Sequence, residues 1–308
     1  MAADAGRAPL NLHDGSCFRC GATEPLVRIS DFGKALCEGC YPEFVRRRVE
    51  ATVRRFRMIP SGAHVALGVS GGADSGTLLE TLAQTRKRLN FTLTAVHVDM
   101  GLGDYSAESL AVCEAQTQAA CVRLVVERVA DYGVEVREVG RWPTCAVCGA
   151  LRRAIFPRVA NRIRAGVMAT GHTLDDQLQY MLKNILSGHP VSPAPVLPTT
   201  AGMPMKVKPL IQIPDVATKT YARLRGLPAV ASVCPRFVPE THGLKDVFAL
   251  LEQHAPMGRL QFWHVMRKVM RPTKEEVDFD HPCPRCGEWT RMPLCAICRL
   301  RDAQEASS

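Results

Sequence analysis

Apolar positions follow two rhythms along the chain. Short continuous runs at Val65-Ala66-Leu67-Gly68-Val69, Phe91 to Val98, Cys121 to Arg128 and Val167 to Thr170 have the length and branching of buried strands. Between them lie segments of helical period, about Ser75 to Arg88, Ser106 to Ala120, and from Gly171–Asp176 on to Leu186. Val207 to Ile211 predicts a fifth strand, and helices resume near Pro214 to Arg225 and from Gly243 to about Met270. Ahead of the first strand, about Glu43 to Arg57 reads as a helix with Val45, Val49, Val53 and Phe56 on one face. Strands alternating with helices predict an α/β fold, a doubly wound parallel sheet covered on both faces. Such folds bind ligands outside the carboxyl ends of their strands. The Ser70 loop, the His97–Gly103 bend and the Gly171–Asp176 turn all fall at that edge and are expected to converge. From Gly188 to Pro204, five prolines predict a long loop.

The loop after the first strand, Ser70-Gly71-Gly72-Ala73-Asp74-Ser75, carries the clearest chemistry. Two glycines between a strand and a helix start leave backbone N–H groups open to an anion, and the helix dipole adds to the attraction. The string is neither Gly-x-x-x-x-Gly-Lys-Ser/Thr nor Gly-x-Gly-x-x-Gly. It places an acid, Asp74, where phosphates would sit. A carboxylate tolerates a polyphosphate when a cation lies between them, so Mg²⁺ is expected on Asp74. The plainer reading is a Gly-Gly turn with a helix cap.

Thirteen cysteines change the picture further. Eight form four Cys-x-x-Cys pairs at the two ends: Cys17/Cys20 with Cys37/Cys40, and Cys283/Cys286 with Cys295/Cys298. Two such turns complete a tetrahedron of thiolates, so each set is expected to hold a structural zinc; redox pairs would not need to come matched. Cys113 and Cys121 read as small buried hydrophobes. Cys145 and Cys148 stand in a predicted loop ahead of an Arg-rich helix, and Cys234 precedes Pro235. These three are open to two readings, a redox pair plus a stray thiol, or three thiolates on one iron–sulfur cluster with one iron free of protein.

Composition adds limits. With 46% apolar and 22% charged residues the 308-residue chain reads as globular, and no apolar run approaches a membrane span. Met1 to Ser16 shows no signal-type apolar region, so a cytoplasmic location with reduced thiols is expected. The formal charge of +9 favours a polyanionic partner. Arg46, Arg47, Arg48, Arg54, Arg55 and Arg57 crowd the first helix, and Arg259, Arg267, Lys268 and Arg271 form a second basic surface. A charge run is usually a solvated face, but one of single sign points toward phosphate contact.

From about Cys17 to Arg301 the chain resembles the tRNA 2-thiouridine synthetases. These are PP-loop ATPases of the adenine nucleotide alpha hydrolase-like fold, with a zinc ribbon at each end and a three-cysteine [4Fe–4S] centre. The resemblance rests on the Ser70–Ser75 loop, the Gly171–Asp176 turn, Cys145/Cys148 with Cys234, and the eight terminal cysteines, in family order. It implies a zinc module over 1–42, a catalytic domain over 43–275 and a C-terminal zinc ribbon over 276–308. It implies that ATP adenylates the C2 oxygen of a tRNA uridine, which sulfur then replaces with release of AMP. Ser70, Gly71, Gly72, Ser75, His97, Gly171 and His172 would bind nucleotide; Asp74 would position Mg²⁺ and Asp176 would contact the nucleotide or its metal, both as catalytic residues, with Asp176 the principal acidic one. Arg152 would neutralise the α-phosphate, while Cys145, Cys148 and Cys234 hold the cluster. A persulfide on Cys145 or Cys234 is the other route. The implied partners are tRNA, a ubiquitin-like sulfur carrier with a C-terminal thiocarboxylate, and a second copy of the chain. Two residues depart from the family pattern: Ala73 replaces the loop lysine, and Arg152 replaces a lysine four residues after Cys148. Arginine keeps the charge but cannot serve as an acid or base. Other classes are an amide- or lysidine-forming PP-loop ligase, and a non-enzymatic RNA-binding zinc protein.

Overall fold

A computed structural model describes residues 12–13, 15–23, 26–29, 34–189, 191–236, 243–270 and 281–306. Strands β1 (Leu12–His13), β2 (Leu26–Ile29) and β3 (Lys34–Cys37) form a small antiparallel sheet. It leads into helix α1 (Tyr41–Arg55), whose buried Val45, Val49 and Val53 continue the core begun by Cys17, Val27 and Leu36. The next elements alternate: β4 (His64–Val69), α2 (Ala73–Leu89), β5 (Thr92–Asp99), α3 (Asp104–Ala119) and β6 (Arg123–Arg128). Then come α4 (Thr144–Arg162), β7 (Val167–Ala169), α5 (Leu174–Leu186), β8 (Val196–Leu197), β9 (Met205–Val207) and α6 (Asp215–Leu224).

The main sheet has six strands in the order β6-β5-β4-β7-β9-β8. All neighbours are parallel except β8, which runs antiparallel to β9 at the edge. Both faces are covered, and the pleat shows how. Val65, Leu67 and Val69 of β4 join the core under α2, whereas Ala66 joins the core under α4 with Leu151, Ile155 and Val159. The chain builds outward from β4 through β5 to β6, then crosses back to β7 on the other side. Strand order therefore reverses at β4, and its carboxyl end is the switch-point crevice of a doubly wound sheet.

Several expectations need correction. Cys145 and Cys148 are not in a loop: Pro143 starts α4 early, so both cysteines lie in its first turns. Proline's fixed φ and extended ψ of 154° suit a helix start. Cys121 is exposed, in the left-handed turn after α3, while Cys113 is buried as expected. The strand expected at 207–211 ends at Val207, because Ile211 N–H turns back to the Lys208 carbonyl. The helix expected over 243–270 is two, α7 (Leu244–His254) and α8 (Gly258–Val269), broken where Met257 takes φ 67°. The proline-rich stretch contributes edge strand β8. Arg271 lies outside the described residues.

The C-terminal segment adds hairpin β10 (His281–Pro282) and β11 (Trp289–Thr290) and helix α9 (Ala296–Glu305). Its Ile297 and Leu300 share the α4-side core with Val134, Val136 and Val139. Gln304 bonds both backbone groups of Glu135, at 3.0 and 2.7 Å, like a strand partner. No helix among the described residues is long and apolar enough to cross a membrane.

Helix α8 is pinned to α5 and α7 by a buried ion pair. Arg259 donates to Asp175 at 2.6 Å and lies 3.5 Å from Glu252. Removing one partner of such a pair leaves an uncompensated buried charge, so Arg259→Met is expected to cost about 3–5 kcal/mol. A urea midpoint unchanged from wild type would contradict this.

Candidate active site

Three turns meet at the carboxyl end of β4. Register places Val69 beside His97, and Leu67 beside Ala169, so the loops after β4, β5 and β7 leave the sheet at one level. Between them is a cavity of about 640 Å³ lined by Ser70, Asp74, Ser75, His97, Arg152, Arg153, Gly171, His172, Asp176 and Lys206 among others. A more open depression around Gly62, Arg86 and Asn90 lies at the opposite strand ends, away from these groups.

The Gly-Gly loop is held tightly. Gly71 has φ +75°, and a Cβ there would lie 2.7 Å from Val230 Cγ2 and 3.1 Å from the Ser109 carbonyl. Ser75 Oγ accepts from Ser70 N–H at 3.2 Å and donates to the Gly72 carbonyl at 3.1 Å, which closes the loop on itself. Gly171 backs onto this turn, its hypothetical Cβ 3.2 Å from Ser75 N.

Asp74, Asp176 and Asp215 bring carboxylate oxygens within 4.8 Å of one another. Burial pushes Asp74 up to about 6; the Thr218 hydroxyl opposes this, while Asp215 and Asp176 add to it. Lys245 divides the trio, donating to Asp176 at 2.6 Å and to Asp215 at 2.8 Å. Burial disfavours the Lys245 ammonium, yet the two carboxylates outweigh it and hold it charged. Asp176 is lowered in turn: burial raises it, and the Lys245 charge overcomes that. Its other oxygen caps α5 by accepting from Thr173 N–H at 3.0 Å. Asp215 and Lys245 escaped the sequence reading. Pro214-Asp215 is a helix-start signal that could have flagged the acid; nothing around Lys245 marks it.

The two histidines are electrically similar. His97 is buried, with Nδ1 at 3.2 Å from the Val69 carbonyl, which can only accept. Nδ1 therefore carries the proton, and Nε2 is a bare acceptor without a partner among the described residues. Burial lowers its pKa. His172 is exposed to the open cavity, with Nδ1 2.8 Å from the Thr170 hydroxyl, and desolvation with Lys206 and Lys208 pushes its pKa down to about 4. Both rings are neutral at physiological pH.

The cavity wall includes Gly149 and Arg152 of α4, one and four residues beyond Cys148. Burial raises the Cys148 thiol; the next influences on it are Arg152, Cys234 and Cys145. Tyr105 of α3 is raised by burial and by Cys234, with Arg152 and Cys148 also within its field. Cys145 Sγ donates to the Arg236 carbonyl at 3.2 Å. The Cys234 segment is tied to the phosphate loop: Val230 N–H donates to the Gly71 carbonyl at 3.0 Å, and Ala231 N–H to Glu108 at 2.7 Å. Among the described residues, metal-type groups with ligand atoms within 4.8 Å are the two terminal quartets and the acidic trio, not these three thiols. Sulfurs on one zinc stand about 4 Å apart, given Zn–S bonds near 2.3 Å. A cluster binds its thiolates to different irons and does not require so tight a group.

The terminal quartets fit a single tetrahedral ion. Cys20 and Cys37 sulfurs are 3.7 Å apart, and those of Cys286 and Cys295 3.5 Å. Each first pair forms the same knuckle, Gly21 N–H to the Cys17 carbonyl at 2.9 Å and Gly287 N–H to the Cys283 carbonyl at 2.8 Å. Arg158 of α4 reaches Cys286 and Cys295 at 3.4 and 3.3 Å, setting a fixed cation against the thiolates.

The PP-loop domain family matches residues 44–228, well over half of the chain. The tRNA-5-methyluridine(54) 2-sulfurtransferase of Thermus thermophilus is 32% identical over 298 residues, 93% of this chain and 91% of that protein. The chain belongs to the PP-loop tRNA 2-sulfurtransferase family. Within that family, the mouse cytoplasmic tRNA 2-thiolation protein 1 is 29% identical across 93% of this chain and 72% of its own length. The U34-tRNA thiolase NcsA of Methanococcus maripaludis, solved with its [4Fe-4S] cluster, shares the fold with TM-score 0.78 at 23% identity over 93% and 95% of the two chains.

Two substitutions test this geometry. Gly71→Ala must displace Val230 and take a left-handed φ, so it is expected to abolish ATP binding in calorimetry and to lower stability by about 1–3 kcal/mol. Lys245→Met leaves three crowded carboxylates without their cation. It is expected to cost about 3 kcal/mol or more by chemical denaturation, with Lys245→Arg retaining most of the stability.

Proposed function

We propose that this chain is an ATP-dependent tRNA 2-sulfurtransferase that adenylates the C2 oxygen of a uridine and exchanges it for sulfur. The observation that carries the reading is the joining of two chemistries at one cavity: the phosphate loop through Gly71 and Val230, and the Cys145–Cys148–Cys234 trio through Arg152.

The residues divide the work as follows. Backbone N–H groups at Gly71 and Gly72 and the start of α2 hold the pyrophosphate, with Ser70 and Ser75 shaping the loop. Uridine O2 attacks the α-phosphorus, and pyrophosphate leaves. Arg152 neutralises charge developing on the α-phosphate and moves no proton. His97 offers Nε2 as an acceptor to a nucleotide donor, and neutral His172 contributes hydrogen bonds rather than charge. Sulfide (HS⁻), free or released by hydrolysis of the sulfur carrier's thiocarboxylate, then adds to C2. The C2–O2 bond breaks, AMP departs carrying the former O2, and the sulfur's proton passes to water. Carbonyl oxygen is a poor leaving group, and adenylation makes it a good one. Mg²⁺ held by Asp74 and Asp176, with Asp215 beside them, would screen the phosphates. A [4Fe–4S] cluster on Cys145, Cys148 and Cys234 would supply a coordination position for incoming sulfur. Closed zinc sites on Cys17, Cys20, Cys37 and Cys40, and on Cys283, Cys286, Cys295 and Cys298, would be scaffolding. The proposed domain limits are 1–42, 43–275 and 276–308. The proposed sulfur donor is a ubiquitin-like carrier with a C-terminal thiocarboxylate and the assembly a homodimer, both as the resemblance implies; the compartment is the cytoplasm, as in the name of the mouse relative.

Anaerobic purification is expected to yield about two zinc and about four iron per chain. Incubation with tRNA, ATP and sulfide is expected to give a 2-thiolated pyrimidine by nucleoside mass spectrometry. Cys234→Ala is expected to reduce product to background while ATP still binds. Full thiolation by Cys234→Ala would sink the assignment of the trio.

A further inference from the structure

The fold sorts the basic residues of α1 and α8 into two groups. Arg46 and Arg47 bond Glu43 at 2.7 and 2.6 Å, and Arg54 bonds Glu50 at 3.1 Å. Arg259 is consumed by Asp175 and Glu252. Arg55, Arg267 and Lys268 are different: none has a carboxylate partner among the described residues. They are nevertheless gathered at one place. The Arg55 and Arg267 guanidinium carbons stand 5.5 and 5.2 Å from the centroid of the same ring, Phe56, and Arg267 is also 5.8 Å from Trp263. Phe56 meets Trp263 edge-on at 5.9 Å, and the fully buried Trp263 is anchored by its indole N–H to the Pro193 carbonyl at 3.1 Å.

His264 reports the field of this face. Burial lowers its pKa, and the charged groups that add to the effect are Arg55, Arg267, Arg48 and Lys268, all cations. Gathering like charges on one aromatic platform sets their mutual repulsion against the cation–π contacts that hold the guanidinium groups there. The arrangement is complementary to a row of anions. None of these three cations is paired with an acid among the described residues, and that single sign suits a polyphosphate backbone better than a protein surface. The face is also tied to the cavity. Arg259 at the start of α8 bonds Asp175, next to Asp176, and eight residues of helix carry the chain about 12 Å from there to Arg267.

We propose that the α1–α8 face, with Arg55 and Arg267 on the Phe56–Trp263 platform and Lys268 beside them, binds the phosphate backbone of the RNA substrate near the catalytic cavity. The inference rests on the tRNA reading above and names where the RNA lies.

The experiment measures affinity of the purified holoenzyme for unmodified tRNA across a salt series. Wild type is compared with Arg55→Gln/Arg267→Gln/Lys268→Gln, thiolation kinetics are followed in parallel, and His264 is followed by NMR. The triple variant is expected to weaken tRNA binding at least tenfold. The slope of log affinity against log salt should fall by about 2–3, near one for each phosphate that the variant no longer neutralises. KM for tRNA should rise, with kcat at saturating tRNA and ATP affinity unchanged. In the wild type, tRNA should raise the His264 pKa. If the triple variant melts early, Lys268→Gln alone is read, with an expected slope change of about 1; its side chain is exposed and takes no part in the platform. Unchanged tRNA affinity and salt slope overturn the proposal, as does loss of an acidic protein partner with RNA binding intact. A wild-type chain that binds no tRNA at all overturns the functional reading instead, so the two failures are distinct.

Discussion

The whole site hangs on the absence of a side chain at position 71. Strand β4, the Ser109 turn of α3 and the Val230 segment all close on the Gly71 backbone, and a single Cβ would collide with two of them. This close approach lets a backbone carbonyl of the phosphate loop bind the segment that carries Cys234. Anion binding and thiol placement are therefore one structural fact. Displacing the loop would displace the anchor, at Val230, of the segment that carries the third cysteine.

Charge balance is the second constraint. Asp74, Asp176 and Asp215 crowd one half-buried corner, and Lys245, bonded to Asp176 and Asp215, is the cation that offsets their charge. The loop itself carries Ala73, so positive charge reaches this corner from α7 rather than from the loop. The cavity wall beyond adds Arg152, Arg153 and Lys206, an electropositive lining suited to a polyphosphate. The same economy operates at the C-terminal quartet, where Arg158 faces the sulfurs while its guanidinium also lies 5.5 Å over Tyr132. One side chain thus links α4, the cysteine quartet and the turn after β6.

Strand and helix positions were legible because the sheet is buried on both faces. Continuous apolar runs can only be central strands in such a fold, and β4, β5 and β6 lie within two residues of the expected limits. Shorter signals fared worse. Cys145-Ala-Val-Cys148 looks like a loop because cysteine and proline weaken helical pattern, yet Val147 and Leu151 bury one face and extend α4 through it. The long C-terminal helix broke at Met257, where Glu252 turns back to bond the Met257 and Arg259 amides at 2.7 and 3.3 Å. The basic run on α1 was visible as composition, but which arginines are neutralised depends on where Glu43 and Glu50 point.

By itself the sequence determined the phosphate loop, the pairing of the terminal cysteines and the alternation of the sheet. Each is written in residues a few positions apart, and local backbone geometry follows directly from such spacing. Only tertiary structure decided that Asp215 and Lys245 join Asp74 and Asp176, and that Cys234 approaches Cys148. It alone decided that Arg55 and Arg267 share one ring across two helices. Those partners are separated by tens to hundreds of residues, and their meeting depends on how helices pack over the sheet. Spacing along a chain carries no record of that packing.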